Sequence, residues 1–345
     1  MSKAAELAAL IGSQSALSDR NLIINGAMQV AQRGTSSTGF VGASSYLTVD
    51  RFKLENGSSG TFTVTQATDA PTGFANSLKF DCTTADASPD YFLIVHRMEG
   101  QNLQHLQKGT SSAKKTTLSF HVKSNKTGTY QVNLRDVDNS RLIGATYSIS
   151  SANTWEKKIV TFAGDTSGVL GNDNGNSLSL EWWLASGSTY NSGAVPTAWE
   201  AIANGDRAAG LNVAIGASTD DEFLITGVQL EIGEQATFFE HRSFGDELQL
   251  CKRYFQVHDD MQLRGNPDGG FERIEIYCPL GVSMRANPSR GVITEGNSTN
   301  IRSSTTTYSG FVLANRTAGC TLSLESNSAG LASFDNRTES LDAEL

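Results

Sequence analysis

Asn21-Leu22-Ile23-Ile24-Asn25-Gly26-Ala27-Met28 and Ile225-Thr226-Gly227-Val228-Gln229-Leu230-Glu231-Ile232-Gly233 stand far apart in the chain and bracket most of its alternating segments. Each pairs a short apolar run with a glycine break, so together they read as the first and last strands of one closed β-sandwich. Between them Leu118, Phe120 and Val122 alternate with Ser119, His121 and Lys123. Tyr130, Val132 and Leu134 alternate with Gln131, Asn133 and Arg135, and Leu178, Leu180, Trp182 and Leu184 with Ser179, Glu181, Trp183 and Ala185. A period of two sends neighbouring side chains to opposite faces, one buried and one wet. Runs rich in Gly, Asn, Asp and Ser at 55–60, 124–128, 138–140 and 171–176 supply the turns. Short strands with frequent turns predict an all-β fold, a jelly-roll β-sandwich.

Composition agrees. The 345 residues are only 18% charged and include 33 glycines, the profile of a loop-rich β protein with a neutral, polar surface. A formal net charge of -9 with scattered Lys and Arg argues against nucleic acid as a partner, because phosphate binding needs clustered cations. Cys82, Cys251, Cys278 and Cys320 show no C-x-x-C spacing and fit buried thiols of a reducing compartment; a Cys251–Cys278 bridge is the disfavoured alternative. The N-terminus does not have the pattern of a signal peptide, and no apolar run approaches a bilayer span, so membrane insertion is not expected.

Three regions follow. Residues 1–19 are read as a short helix and linker: Ser2 caps it, Ala4, Leu7, Ala8 and Ile11 share a face, and Gly12 ends it. Leu7, Leu10 and Ile11 are its candidate attachment residues, since so short a helix needs a second surface to be stable. Packing on its own domain is the equal alternative. Residues 20–244 form the jelly roll, and 245–345 a smaller C-terminal β domain that contains Arg253-Tyr254-Phe255 and Val282-Ser283-Met284-Arg285-Ala286-Asn287-Pro288.

The bracketing strings and these two C-terminal strings resemble those of bacteriophage tail-fibre and other virion structural proteins. Their central domain is a jelly roll similar to carbohydrate-binding modules. The resemblance implies a non-enzymatic tail or head fibre component located in the virion. It also implies a homotrimer or another symmetric assembly, contact with other virion proteins, and attachment through the N-terminal helix.

No nucleophile elbow, zincin, Walker or dinucleotide motif occurs, and His96, His105, His121, His241 and His258 lack metal-ligand spacing. Hydrolysis by a chance carboxylate pair, as in a polysaccharide depolymerase, is the least favoured reading. Recognition of host-surface glycan is the stronger alternative. Strand phase puts Glu181, Trp183, Gln131, Asn133, Arg135 and His121 on wet faces, the mixture of aromatic plate and polar groups that a sugar needs. Against it, a loop such as 188–201 or a neighbouring subunit would cover Trp183, the commoner fate of a large aromatic side chain. No cofactor is expected. Asp165, Asn172, Asp173 and Asn174 offer hard oxygens to a structural calcium, the resemblance adds that such modules often carry one, and a metal-free Asx turn is the preferred alternative.

Overall fold

The two bracketing strings meet. In the computed structural model, Leu22 N–H donates to Leu230 O (2.9 Å) and Val228 N–H to Gly26 O (2.9 Å). The Asn21 carboxamide bridges both chains: Oδ1 accepts from Ile23 N–H (3.0 Å) and Leu230 N–H (3.1 Å), and Nδ2 donates to Val228 O (3.1 Å). The first string is nevertheless not a strand. Asn25 and Met28 take left-handed φ values of 62° and 57°, and Asn25 closes the turn by accepting from Val30 N–H and donating to Val30 O and Asp50 O. Asparagine tolerates this region better than other non-glycine residues. A Cβ on Gly26 would lie 2.1 Å from Val228 O, so only glycine lets the two backbones approach.

The structure describes residues 19–265, 273–286, 288–294, 297–299, 301–307, 317–326 and 332–345. The expected N-terminal helix, with Leu7, Leu10 and Ile11, lies outside them. The chain divides into two compact units, Met1–Phe244 and Gly245–Leu345.

The first unit is a sandwich of two antiparallel sheets. One has six strands in the order β1 (Ser36–Phe40), β4 (Thr61–Ala67), β5 (Ser77–Thr84), β13 (Glu222–Ile232), β7 (Thr116–Ser124) and β10 (Glu156–Phe162). The other has seven in the order β12 (Glu200–Ala201), β9 (Arg141–Ile149), β8 (Gly128–Asp136), β11 (Asn176–Ser186), β6 (Tyr91–Glu99), β3 (Phe52–Asn56) and β2 (Ser44–Tyr46). This non-sequential order is that of an all-β jelly roll. β5 pairs with β13 only over Glu222–Ile225; beyond the irregularity between Thr226 and Gln229, the Asn21–Gly26 segment takes its place beside Val228 and Leu230.

The alternation in the sequence builds the core between the sheets. Leu118, Phe120 and Val122 of β7 face Tyr130, Val132, Leu134, Leu180 and Trp182 of β8 and β11, all buried. Phe120 meets Trp182 edge-on at 6.0 Å and Tyr147 at 5.0 Å. Edge-to-face pairs of this kind stabilise by about 0.5–1.5 kcal/mol beyond their buried area. Cys82 and Cys251 are buried.

In the second unit, the helix Phe244–Lys252 leads into β14 (Phe255–Gly265). β14 lies beside β20 (Ala332–Asp342), which also pairs with β16 (Ser289–Thr294) and β17 (Asn297–Thr299). A second sheet runs β15 (Arg273–Met284), β19 (Thr317–Ser326), β18 (Ile301–Thr307), and its register sets Cys278 opposite Cys320. The two C-terminal strings join here: Arg285 N–H donates to Arg253 O, Ala343 N–H to Tyr254 O, and Met284 packs with Leu341 and Ala343.

Candidate functional site

The strand phase of β8 and β11 brings Gln131, Asn133, Glu181 and Trp183 onto the outer face of the seven-stranded sheet, with Trp183 opposite Gln131 and Glu181 opposite Asn133. That face is not wet. The chain between β11 and β13 folds back over it as a strap that includes the short helix Ser188–Asn191 and the turn Asn204–Asp206, and between them it joins the sheet's edge as β12. Trp183, Glu181, Gln131 and Asn133 are therefore between 0% and 2% exposed, which corrects their assignment to an open groove.

The strap engages the polar groups of Gln131, Asn133 and Glu181 that a sugar would have used, while the buried Trp183 indole N–H finds no partner among the described residues. Gln131 Nε2 donates to Asp206 O (2.9 Å) and its Oε1 accepts from Gly210 N–H (2.8 Å), while Asn133 Nδ2 donates to Arg207 O (2.7 Å). Arg207 grips Glu181 with Nη2 (2.9 Å) and Nε (3.3 Å), and Arg135 adds a longer contact at 3.4 Å. The Arg207 guanidinium carbon lies 5.0 Å from the Trp183 ring centre and 5.6 Å from that of Tyr190, so the expected sugar platform already holds a cation. Leu93, Val95 and Ala208 complete this second small core. A loop covering Trp183, the alternative weighed from the sequence, is what the structure shows. Arg135 keeps 36% of its side chain exposed.

His121 does not belong to this face. It projects from β7 on the other sheet, where Phe74, Phe239 and His241 form a ring cluster with it: His121–Phe74 and His241–Phe74 are 5.3 Å apart, and Phe239–His241 4.8 Å. Burial, aided by the Lys157 charge, lowers its pKa. Beside it Trp155 Nε1 donates to Asp69 Oδ1 (2.9 Å) and Lys123 Nζ to Asp69 Oδ2 (2.7 Å). The Lys123 hydrogen bond, joined by that of Trp155, holds the Asp69 carboxyl below the usual carboxylate range against the opposing effect of its partial burial.

Asp165 also departs from expectation. Its carboxylate accepts from Lys108 Nζ (2.9 Å) and from Arg141 Nε (2.7 Å) and Nη2 (3.1 Å). Lys108 Nζ is further held by Asp136 Oδ2, Ser167 O (3.2 Å) and Gly168 O (3.0 Å), and the Trp199 ring centre lies 4.8 Å away. An ammonium thus occupies an oxygen cage of the kind proposed for calcium. Asp173 instead caps its own turn, accepting from Gly175 N–H (2.8 Å), in the segment that carries Asn172 and Asn174. Among the described residues no three His, Cys, Asp or Glu side chains are grouped to hold a metal. Sequence reasoning did not single out Lys108, Asp136 or Arg207, because their partners lie 26 to 57 positions away. No local pattern signals such contacts.

Shallow grooves open on the unit. One, of about 480 Å³, is lined by Leu103, Gln104, Lys108 and Val169 among others; one, of about 540 Å³, runs between β9 and β10 past Gly144, Thr146, Thr161 and Thr197. Neither is lined by a carboxylate or a histidine.

No protein-family model and no curated protein matches this sequence. Among solved structures, a putative sugar binding protein from Bacteroides thetaiotaomicron aligns at 11% identity over 62% of this chain and 100% of its own, with a TM-score of 0.33. The family 11 carbohydrate-binding module from Clostridium thermocellum, in complex with a β-1,3-1,4-mixed-linked tetrasaccharide, aligns at 14% identity over 59% of this chain and 98% of its own, TM-score 0.29. The enzymatically active domain of tailspike protein 4 from bacteriophage CBA120 aligns at 12% identity over 62% of this chain, TM-score 0.32. This chain spans only 22% of that tailspike chain's length. None of these likenesses assigns a role to a residue of this chain.

Proposed function

We propose that this chain is a non-enzymatic structural protein of a bacteriophage virion, a fibre component present in several identical copies. The observation that carries the reading is the interlock of Asn21–Gly26 with Val228–Leu230. The residues by which the sequence resembles virion fibre proteins are those that close the sandwich, so the resemblance has a structural reason. The state of four buried carboxylates is in keeping with this reading. Buried Asp136, Asp165, Glu181 and Asp221 each face a lysine or arginine, whereas a glycosidase needs one carboxyl kept protonated beside an open cleft. Antibody against the first unit is expected to decorate purified particles at a repeated position. Particles free of the protein, with all of it in the lysate supernatant, would remove the reading.

Trp155 favours a second reading, recognition of host-surface glycan. Its indole is fixed on the outer side of the six-stranded sheet by Asp69, close to the lysine side chain of Lys123. A fixed aromatic ring beside hydrogen-bonding groups is the minimum that a sugar platform requires. If glycan is bound there, Trp155→Ala lowers binding to host polysaccharide at least tenfold while Trp183→Ala acts only through stability. Equal binding by wild type and Trp155→Ala discards this reading and leaves the structural one intact.

A further inference from the structure

The four sheet edges of the first unit are not alike. β12 and β2 have two and three residues, too short to template another strand. β1 has five, and its register to β4 is interrupted between Ser37 and Phe40, where Gly39 takes a φ of 73°. β10 has seven residues in unbroken register with β7, from Glu156 opposite Val122 to Phe162 opposite Thr116. Among the described residues its backbone groups find no partner outside β7. Its outward row is Lys157, Ile159 and Thr161, and Ile159 is 56% exposed. The groove of about 540 Å³ runs alongside Thr161, Phe162 and Ala163 and leaves room beside the edge. Edges of this length are normally shortened, bulged or covered, and an unblunted one pairs with another strand.

We infer that the free edge of β10 is an interface between two copies of this chain, paired antiparallel and symmetric about Ile159. It rests on the reading that the protein works in several copies. The sequence of β10 suits a second copy of itself, and the exposed Ile159 marks the centre of the register. Centring on Ile159 sets the two isoleucines against each other and places Lys157 opposite Thr161, Lys158 opposite Val160 and Glu156 opposite Phe162 of the second copy. No like charges meet, and the outer and inner rows of both copies stay in phase. Centring on Lys158 would put two lysines face to face. A shift to a mixed odd–even register would turn each buried row toward solvent. The pairing joins two six-stranded sheets into one continuous sheet and is isologous, the arrangement that closes at two copies. Larger assemblies then grow from this pair through other surfaces.

Cysteine at the symmetry centre tests it on the purified full-length chain. Directly opposed residues on antiparallel strands have Cα atoms about 4.5–5.5 Å apart, within disulfide range. Ile159→Cys is expected to give a covalent dimer under mild oxidation, Thr161→Cys none, and Lys157→Cys/Thr161→Cys a covalent dimer again. Light scattering is expected to find the wild type as a dimer or a multiple of two and Ile159→Lys as half that size, with an unchanged circular-dichroism spectrum. A monomeric or three-fold wild type, an unchanged size for Ile159→Lys, or cross-linking of Thr161→Cys alone as efficient as that of Ile159→Cys would each overturn the proposal. These outcomes are independent of whether the protein is found on particles.

Discussion

Replacing Lys108 with methionine is expected to cost about 3–5 kcal/mol of stability, the usual penalty for removing one partner of a buried charge pair. The size follows from burial on both sides. The Lys108 side chain is 4% exposed, and the Asp136 and Asp165 side chains it joins are 0% and 3% exposed. Methionine fills the volume of the stem but leaves two carboxylates in a dry site, with Arg141 as their remaining cation. Surface ion pairs of the same unit, such as Lys115–Glu234, are worth less than about 1 kcal/mol, so their removal serves as the control. The acid response distinguishes charge from packing. Burial pushes the Asp165 carboxyl up, but hydrogen bonds from Arg141 and Lys108 outweigh it and hold the group below the ordinary carboxylate range. A depressed carboxylate contributes stability above its unfolded pKa of about 4, and that contribution is lost as pH falls through the lower folded value. Lys108→Met forfeits part of this contribution, so the gap between wild type and variant in urea unfolding should narrow below about pH 4. A gap that stays constant with pH would mean that the lysine matters for its packing alone.

Acidification from neutrality is expected to weaken the first unit well before the carboxylates titrate, through His96. Burial, then the nearby Arg51 guanidinium, lower its pKa from 6.5 to about 3, against the opposing hydrogen bond between Nε2 and Ile24 O (3.2 Å). The neutral ring packs edge-on against Phe52 at 5.1 Å. Because the folded value lies below the unfolded one, the unfolded chain takes up the proton first. Stability is complete above about pH 6.5 and falls by about 1.4 kcal/mol per pH unit below it until the folded value is reached. Between pH 6.5 and pH 5 this amounts to about 2 kcal/mol, readable as a shift in urea midpoint. His96→Gln keeps a donor for Ile24 O and has no ring to titrate there, so its midpoint should fall clearly less over the same interval, by the share that His105 and His121, also lowered by burial, contribute. A wild type as stable at pH 5 as at pH 7 would show that the ring can take its charge inside the fold.

Both predictions rest on residues that local sequence does not single out. Lys108 lies in a turn-rich stretch, and its partners come from β8 and from the turn at 165–168. His96 stands in β6 among apolar residues, and only the packing of Phe52 and of the first bracketing string around it makes it a buried neutral base. The core was readable because its signal is local. The period-two rows of β7, β8 and β11 name one face of each strand, and Leu118, Phe120, Val132, Leu180 and Trp182 are buried where that phase puts them. The outer face was misread for the same reason. Ser179, Glu181 and Trp183 look wet beside their leucine neighbours, yet β11 is buried along nine consecutive positions, Ser177 to Ala185.

The sequence by itself determined the fold class, the phase of its main strands and the two strings that close the sandwich. These depend on side-chain alternation, on asparagines that hydrogen-bond their own turn, and on one glycine that admits a second backbone. Tertiary structure alone decided which faces and edges remain open. The strap from β11 to β13 closes one face with Arg207, Lys108 fills the oxygen cage around Asp165, and among the described residues β10 is left as a long free edge. Coverage is a contact between segments distant in sequence, and a strand's own pattern records only that a residue alternates, not what another part of the chain lays over it.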